Sequence, residues 1–437
     1  PCIAGEHSNG IICEPCKYPT YTLDPQQVCN HCPEHADCPD QNKIRPLPGY
    51  WNAHDGSTEI LECPADGSTR CNPAEGGNGR CKIGYDGPLC NACDYESGYT
   101  ESGYFQCTKC ENPLKQLITT CVIAFIYFVF QFIAIYIIYV GINHNKQDPS
   151  LLDVNKIERA YYLKSILTYG QLMSILCLTS PQIFETFGLT SQIGNPSSLL
   201  IFGTQCSMYA LGFTHSQFLF YQTYAVITLP FLHIILVTIF ALFFPIFNPS
   251  VSRKGLISVA VVYLFLKYQP GAVTALIQFI SCRKTKGIDH HYIASHPSWS
   301  CDTPCHEIIT KFFVAPSALF WCIFVPALIF LKLRVSRSSL GSEGNKNLLG
   351  FLYVDTKQKF YYWGALVMIV KLVLSLLVYG LEVHSETQIF AFLILLWIYQ
   401  SIVRNKKPFI TESCNKFEIL LINLLLFNLV MIKCLLD

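Results

Sequence analysis

A small disulfide-rich head followed by an all-α, multi-spanning membrane domain of about eight helices is the fold class this sequence predicts. Three observations carry it. Of 437 residues, 51% are hydrophobic and only 14% charged, whereas a soluble domain carries about 25% charge. Residues 1–110 hold 13 of the 22 cysteines, with 15 Asp/Glu against 7 Lys/Arg. Nearly all the long apolar runs lie beyond residue 110. The division expected is therefore an extracellular cysteine-rich head over 1–112 and a transmembrane domain over 113–437.

A membrane helix needs about 20 mostly apolar residues. Eight segments qualify: Leu114–Ile142, Tyr162–Phe184, Phe218–Phe247, Leu256–Ser281, Phe312–Leu333, Phe360–Leu381, Gln388–Val403 and Phe417–Leu436. The second carries Lys164 and Gln171. The third carries Pro230 and Pro245, and the fourth Pro270, which predicts kinks. Leu199–Phe213 is too short and too interrupted by Gly and Ser to span; it reads as re-entrant or surface-lying.

Cationic residues set the expected orientation, because cytoplasmic loops retain Lys and Arg. With the head outside, the inner loops 143–161, 248–255, 332–359 and 404–416 hold 15 Lys/Arg, against 4 in the outer loops 185–217, 282–311 and 382–387. The cysteines independently favour an oxidising compartment. The chain begins at Pro1 without a signal-peptide pattern, so the expectation is a fragment of a longer upstream chain.

The head has too few apolar residues for a core of its own and reads as stapled modules. Cys13, Cys16, Cys29 and Cys32, and again Cys90, Cys93, Cys107 and Cys110, also show Cys-x2-Cys spacing compatible with zinc. An oxidising location favours disulfides over zinc. Thirteen is odd, so one cysteine must pair outside the head: Cys2 with upstream chain, or a head cysteine with an outer loop. In the outer loop, Asp289, His290, His291, His296, Cys301, Cys305 and His306 are dense enough to suggest a metal, but they match no standard ligand spacing. A loop closed by Cys282–Cys301 is the preferred reading. Neither a metal nor any other cofactor is expected.

The order Cys81-x8-Cys90-x2-Cys93-x13-Cys107, enclosing Gly84-Tyr85-Asp86-Gly87 and Gly98-Tyr99, resembles a laminin-type EGF-like module. That resemblance implies Cys81–Cys90 and Cys93–Cys107 pairs. Upstream stand Cys29-Asn30-His31-Cys32-Pro33, Cys38 and Pro48-Gly49-Tyr50-Trp51. Downstream stand Tyr169-Gly170-Gln171, Gly350-Phe351-Leu352-Tyr353, Tyr362-Trp363, Lys371, Gln400, Lys407-Pro408-Phe409, Asn415 and Glu418. Together they resemble multi-spanning surface proteins of ciliates, algae and other protists. Those proteins carry ephrin-receptor-like and EGF-like ectodomains and terminal helices similar to transient-receptor-potential proteins. Val370-Lys371 departs from the family's usual Arg-Lys pair, and His296 from its usual aspartate. The resemblance implies a large surface protein, ciliary or plasma-membrane, whose last part is the membrane anchor.

Charge inside a membrane is costly, roughly 2.5–3.5 kcal/mol at a helix centre, and marks a functional or structural site. Lys267 and Lys371 are such residues, and Glu418 is the single acid within the eight spans. Glu418 is the acidic partner available, although Lys371 is expected to fall several ångströms short of it. Snorkelling, or bonding to carbonyls near the Pro270 kink, is the alternative for both lysines. Gln131, Gln171, His233, Gln278, Gln400, Asn423 and Asn428 read as polar glue between helices.

No Walker, His-Glu-x2-His or nucleophile-elbow pattern occurs, so the expectation is not an enzyme, and a net charge of +1 gives no reason to expect nucleic acid. Three functions compete. A multi-pass anchor holds the head, the lipid bilayer and an extracellular protein or filament assembly together, as a homo- or hetero-oligomer or with its own upstream chain. A channel or channel-associated subunit wants acidic rings or carbonyl filters, which the spans lack. A surface receptor wants intracellular apparatus, and the longest inner loop is short. The anchor needs neither and is preferred.

Overall fold

The computed structural model of the protein describes residues 2–8, 12–24, 28–54, 56–63, 67–72, 80–103, 106–143, 154–177, 194–195, 197–243, 251–380 and 385–436. The chain divides into two compact units.

The first unit comprises Pro1–Pro113, Gln205–Leu219 and Ser281–Ile308. It is built of short antiparallel pairs, among them Glu6–Ser8 with Cys13–Pro15, Tyr50–Trp51 with Leu61–Glu62, and Tyr99–Gly103 with Gln106–Lys109. Ladders this short bury little, so cysteines supply much of the interior. Cys63, Cys71, Cys81 and Cys90 pack with Trp51, and Ile288 from the later segment joins that cluster. Eight cysteine pairs stand at disulfide distance among the described residues. Gly84 turns with φ +91°, and a Cβ there would lie 2.7 Å from the Tyr99 ring. Only glycine meets both the turn and that close approach.

The second unit comprises Leu114–Thr204, Phe220–Ile280 and Ile309–Asp437. The chain's long helices are α1 (Pro113–Asn143), α2 (Val154–Leu176), α3 (Ser197–Ala210), α4 (His215–Phe243), α5 (Arg253–Ile280), α6 (Pro304–Val335), α7 (Glu343–Tyr353), α8 (Trp363–Gly380), α9 (Ser385–Lys406) and α10 (Glu412–Leu436). Seven of them, all but α2, α3 and α7, are long and apolar enough to cross a membrane by length and composition. The expected second span, Tyr162–Phe184, overlaps α2; residues 178–184 lie outside the described residues, as does Pro245. The helix α3 occupies the segment judged too short to span.

The helix α5 is the centre of this unit. It is 72% buried over its apolar window, against 22% for α1 and 17% for α6. Its Leu256, Val259, Ala260, Tyr263 and Leu264 pack with Ile135, Ile138 and Tyr139 of α1 and Ala241 of α4. Gly255 allows this approach, since a Cβ there would stand 2.9 Å from the Tyr139 ring. Two wide π-turns, Thr310–Val314 and Leu319–Phe324, interrupt α6. Pro316 and Pro326 have no N–H to donate in the following turns, which accounts for departures from the regular ladder on this helix.

Candidate functional site

Lys371, Gln171, Lys267 and Glu418, which come from four different helices, line a single cavity of about 60 Å³ in the helical unit. That volume has room for about two water molecules, each occupying roughly 30 Å³ in the liquid. The polar residues arrive there through helix periodicity. On α2, Tyr161, Lys164, Ser165, Thr168 and Gln171 recur every three or four residues and form one stripe.

Glu418 on α10 is 8% exposed and is held from two other helices. Tyr399 of α9 donates to Oε1 at 2.8 Å. Tyr161 Oη lies 2.8 Å from Oε2 and 2.9 Å from the Cys414 carbonyl, so its proton is shared between them. Ser165 Oγ stands farther off, 3.4 Å from Oε2. Hydroxyl donors reach both carboxylate oxygens, which meets the need of a buried polar group for hydrogen-bond partners.

Lys371 Nζ donates to the Gln171 side-chain oxygen, and lies 3.4 Å from Thr168 Oγ1. The Gln171 amide donates in turn to the Lys267 carbonyl at 2.7 Å. That carbonyl lies three residues before Pro270, where a proline disturbs the helix ladder and side chains from neighbours re-satisfy the backbone. Gln171 thus joins α2, α5 and α8 through one side chain. The structure gives Lys371 and Glu418 no direct hydrogen bond; they share the cavity wall instead.

The acid that takes a lysine directly is Asp355. Lys164 Nζ reaches Asp355 Oδ2 at 2.9 Å and the Phe351 carbonyl at 2.9 Å, and sits 5.1 Å above the Phe351 ring. Asp355 lies just past α7, in the segment read from sequence only as a basic inner loop. Its position is set by the Lys407-Pro408-Phe409 turn: Lys357 N–H donates to the Pro408 carbonyl at 2.8 Å, Ile410 N–H to the Asp355 carbonyl at 3.1 Å. Asn415 clasps Phe409 on both sides, accepting from its N–H at 3.2 Å and donating to its carbonyl at 3.1 Å. A lone Asp among six Lys/Arg was the available signal for Asp355. Tyr161 and Tyr399 carried none, since tyrosines are ordinary at membrane boundaries.

Several other polar residues of the helices pair across them. Tyr263 donates to Gln131 at 2.7 Å, His233 bonds Tyr268, Gln400 bonds Asn423, and Asn428 donates to Tyr169 at 3.1 Å.

In the stapled unit, Cys81 stands at disulfide distance from Cys90, Cys93 from Cys107, and Cys282 from Cys301. Cys110 pairs with Cys206, which supplies the partner outside the head that the odd count demands. Cys2 pairs with Cys13. The two zinc-like quartets are dispersed, because Cys16 meets Cys29 and Cys32 meets Cys38. Cys282, Cys301 and His306 bring ligand atoms within 4.8 Å of one another, but the two thiols are spent on each other. Glu101 organises this unit further. It takes Tyr95 Oη at 3.1 Å, exchanges two bonds with Gln205, and lies 3.4 Å from His296. Burial, with the Glu101 carboxylate beside it, holds the Tyr95 phenol well above its ordinary range. Asp302 is lowered, chiefly by the His291 backbone N–H that it accepts at 2.8 Å.

The chain matches no family model, no curated protein and no solved structure.

Proposed function

We propose that this chain is a multi-pass membrane anchor that holds a disulfide-rich ectodomain at the surface of a plasma or ciliary membrane. Its partners on this reading are the bilayer and an extracellular protein or filament assembly, including any upstream chain of its own. The observation that carries the reading is how the buried ions are held. Glu418 is bonded by hydroxyls from two helices, Lys164 by Asp355, and Lys371 by Gln171. Such groups fix helices in one arrangement, which is what an anchor needs. The excess of 15 inner over 4 outer cations supports an external head, and inner Lys and Arg each add about 1 kcal/mol of attraction to anionic lipid. The resemblance to protist surface proteins points the same way.

A channel-type reading is favoured by one observation: Lys267 and Lys371 are buried on spanning helices, where charge often marks an ion path. Reconstitution of the purified chain in planar bilayers separates the two. The anchor predicts no current for any ion over a wide voltage range, and release of the ectodomain from cells when residues 114–437 are deleted. Sustained single-channel currents, or surface retention after the deletion, would overturn it. Orientation is checked with a membrane-impermeant maleimide on intact cells. Exposed Cys305 should label, while a cysteine at Gly341, where a Cβ meets nothing within 4 Å, should not.

A further inference from the structure

Two cations of the helical unit are held in place without a counter-charge. Arg337 lies in the turn Arg337–Ser339 that follows α6, and its guanidinium sits 5.6 Å from the centre of the Tyr361 ring. Lys359 lies in the turn Gln358–Phe360 that precedes α8, and its ammonium sits 5.0 Å from the centre of the Phe360 ring. Both rings pack on Tyr362, Tyr361 at 5.6 Å and Phe360 at 6.5 Å, and Phe360 is buried. One aromatic cluster therefore fixes both cations. A ring contact of this kind leaves N–H donors unspent, and a guanidinium keeps the fork that matches a phosphate. Among the described residues, neither side chain meets an acid or a hydrogen-bond acceptor. Residues 332–360 carry six Lys/Arg against two acids, and one of these, Asp355, is spent on Lys164.

The end of α6 adjoins these cations. Leu328, Leu331 and Val335 recur at helical spacing and are 49%, 55% and 77% exposed. Lys332 and Arg334, both exposed, flank that stripe. An exposed apolar stripe that gives way to cations marks the depth at which a spanning helix meets lipid headgroups. We propose that this edge binds an anionic glycerophospholipid, with its phosphate on Arg337 and Lys359 and an acyl chain along Leu328, Leu331 and Val335. The proposal rests on the reading of α6 and α8 as spanning helices. Charge complementarity selects an anion, since no acid offsets the two cations. The stripe selects a lipid, since a free phosphate would leave it uncovered. A zwitterionic headgroup would bring its own cation towards Arg337 and Lys359.

Native mass spectrometry of the full chain in micelles tests this with phosphatidylglycerol and phosphatidylcholine of identical acyl chains. One saturable phosphatidylglycerol site is expected, roughly tenfold tighter than phosphatidylcholine. Arg337→Gln and Lys359→Gln should each weaken phosphatidylglycerol about fivefold, the worth of one cation beside an anionic headgroup, and leave phosphatidylcholine unchanged. Tyr361→Leu keeps every charge but removes the ring that holds Arg337, and should weaken phosphatidylglycerol about twofold to fivefold. Lys416→Gln, an exposed cation at the start of α10 outside the aromatic cluster, should change nothing. Glycerol phosphate in large excess should not displace the lipid. An unchanged melting temperature certifies the fold of each variant. Equal affinity for the two lipids, equal weakening by Lys416→Gln and Arg337→Gln, or displacement by glycerol phosphate would overturn the proposal. The anchor reading would survive that failure, because current and surface retention test it separately.

Discussion

Removing the Tyr399 hydroxyl tests whether Glu418 is a structural rivet. Tyr399→Phe deletes one oxygen and leaves the ring, which stacks on Trp363 at 5.9 Å, so no packing cavity forms. Tyr399 is 5% exposed and Glu418 8%, so bulk solvent does not reach the lost donor's place, and a water admitted from the cavity that Glu418 lines would lower the cost. A hydrogen bond to a charged group contributes about 1.5–3 kcal/mol. Tyr161→Phe removes the second short bond to the same carboxylate, and also the bond to the Cys414 carbonyl, so its cost should fall in the same range or above. Because the two hydroxyls share one carboxylate, their effects should not add. A double-mutant cycle should return a coupling of at least about 0.5 kcal/mol, as expected for residues in one network. Steric-trapping or thermal unfolding of the protein in micelles measures each value. Losses below about 0.5 kcal/mol for both single variants would refute the argument that this carboxylate depends on protein donors to join α2, α9 and α10.

Breaking the Lys164–Asp355 pair by Asp355→Leu should cost less than the 3–5 kcal/mol of a fully buried pair, because the Lys164 side chain is 20% exposed; the cost should shrink when Lys164→Met is added, and an additive double variant would contradict a direct pairing. Peptide mapping without reduction should join Cys81 to Cys90, Cys93 to Cys107, Cys110 to Cys206 and Cys282 to Cys301, whereas stoichiometric zinc with free thiols would overturn the stapled reading. Cys90→Ala should cost about 2–5 kcal/mol locally, enough to unfold so small a module. Asp302 has a depressed folded-state value, so what its link to His291 contributes is present above the ordinary aspartate value of 3.8 and is lost as pH falls through the lowered one; protection of the His291 amide from hydrogen exchange, relative to its intrinsic rate at each pH, should fall across that acid range and lose this dependence in Asp302→Asn.

The sequence by itself determined the class of each part, because class follows from local counts. Apolar runs near 20 residues specify membrane helices wherever they occur, and a cysteine every few residues specifies a stapled module. Even the need for a head cysteine to pair outside residues 1–110 was legible, as a matter of parity. Which cysteine it was, Cys110 with Cys206, depends on two segments 96 residues apart meeting in space, and only the tertiary structure decided that. The same holds for the ion cluster. Lys371, Lys267 and Glu418 were visible as costly residues on spans. Their partners were not, because a charge in a low-dielectric interior takes whichever donor the packing brings near. Helix packing brought Gln171 to Lys371 and two tyrosines to Glu418. Lys164, noted from sequence only as a charge on the second segment, found its acid in Asp355, which the turn at Lys407-Pro408-Phe409 positions from about fifty residues away in the chain.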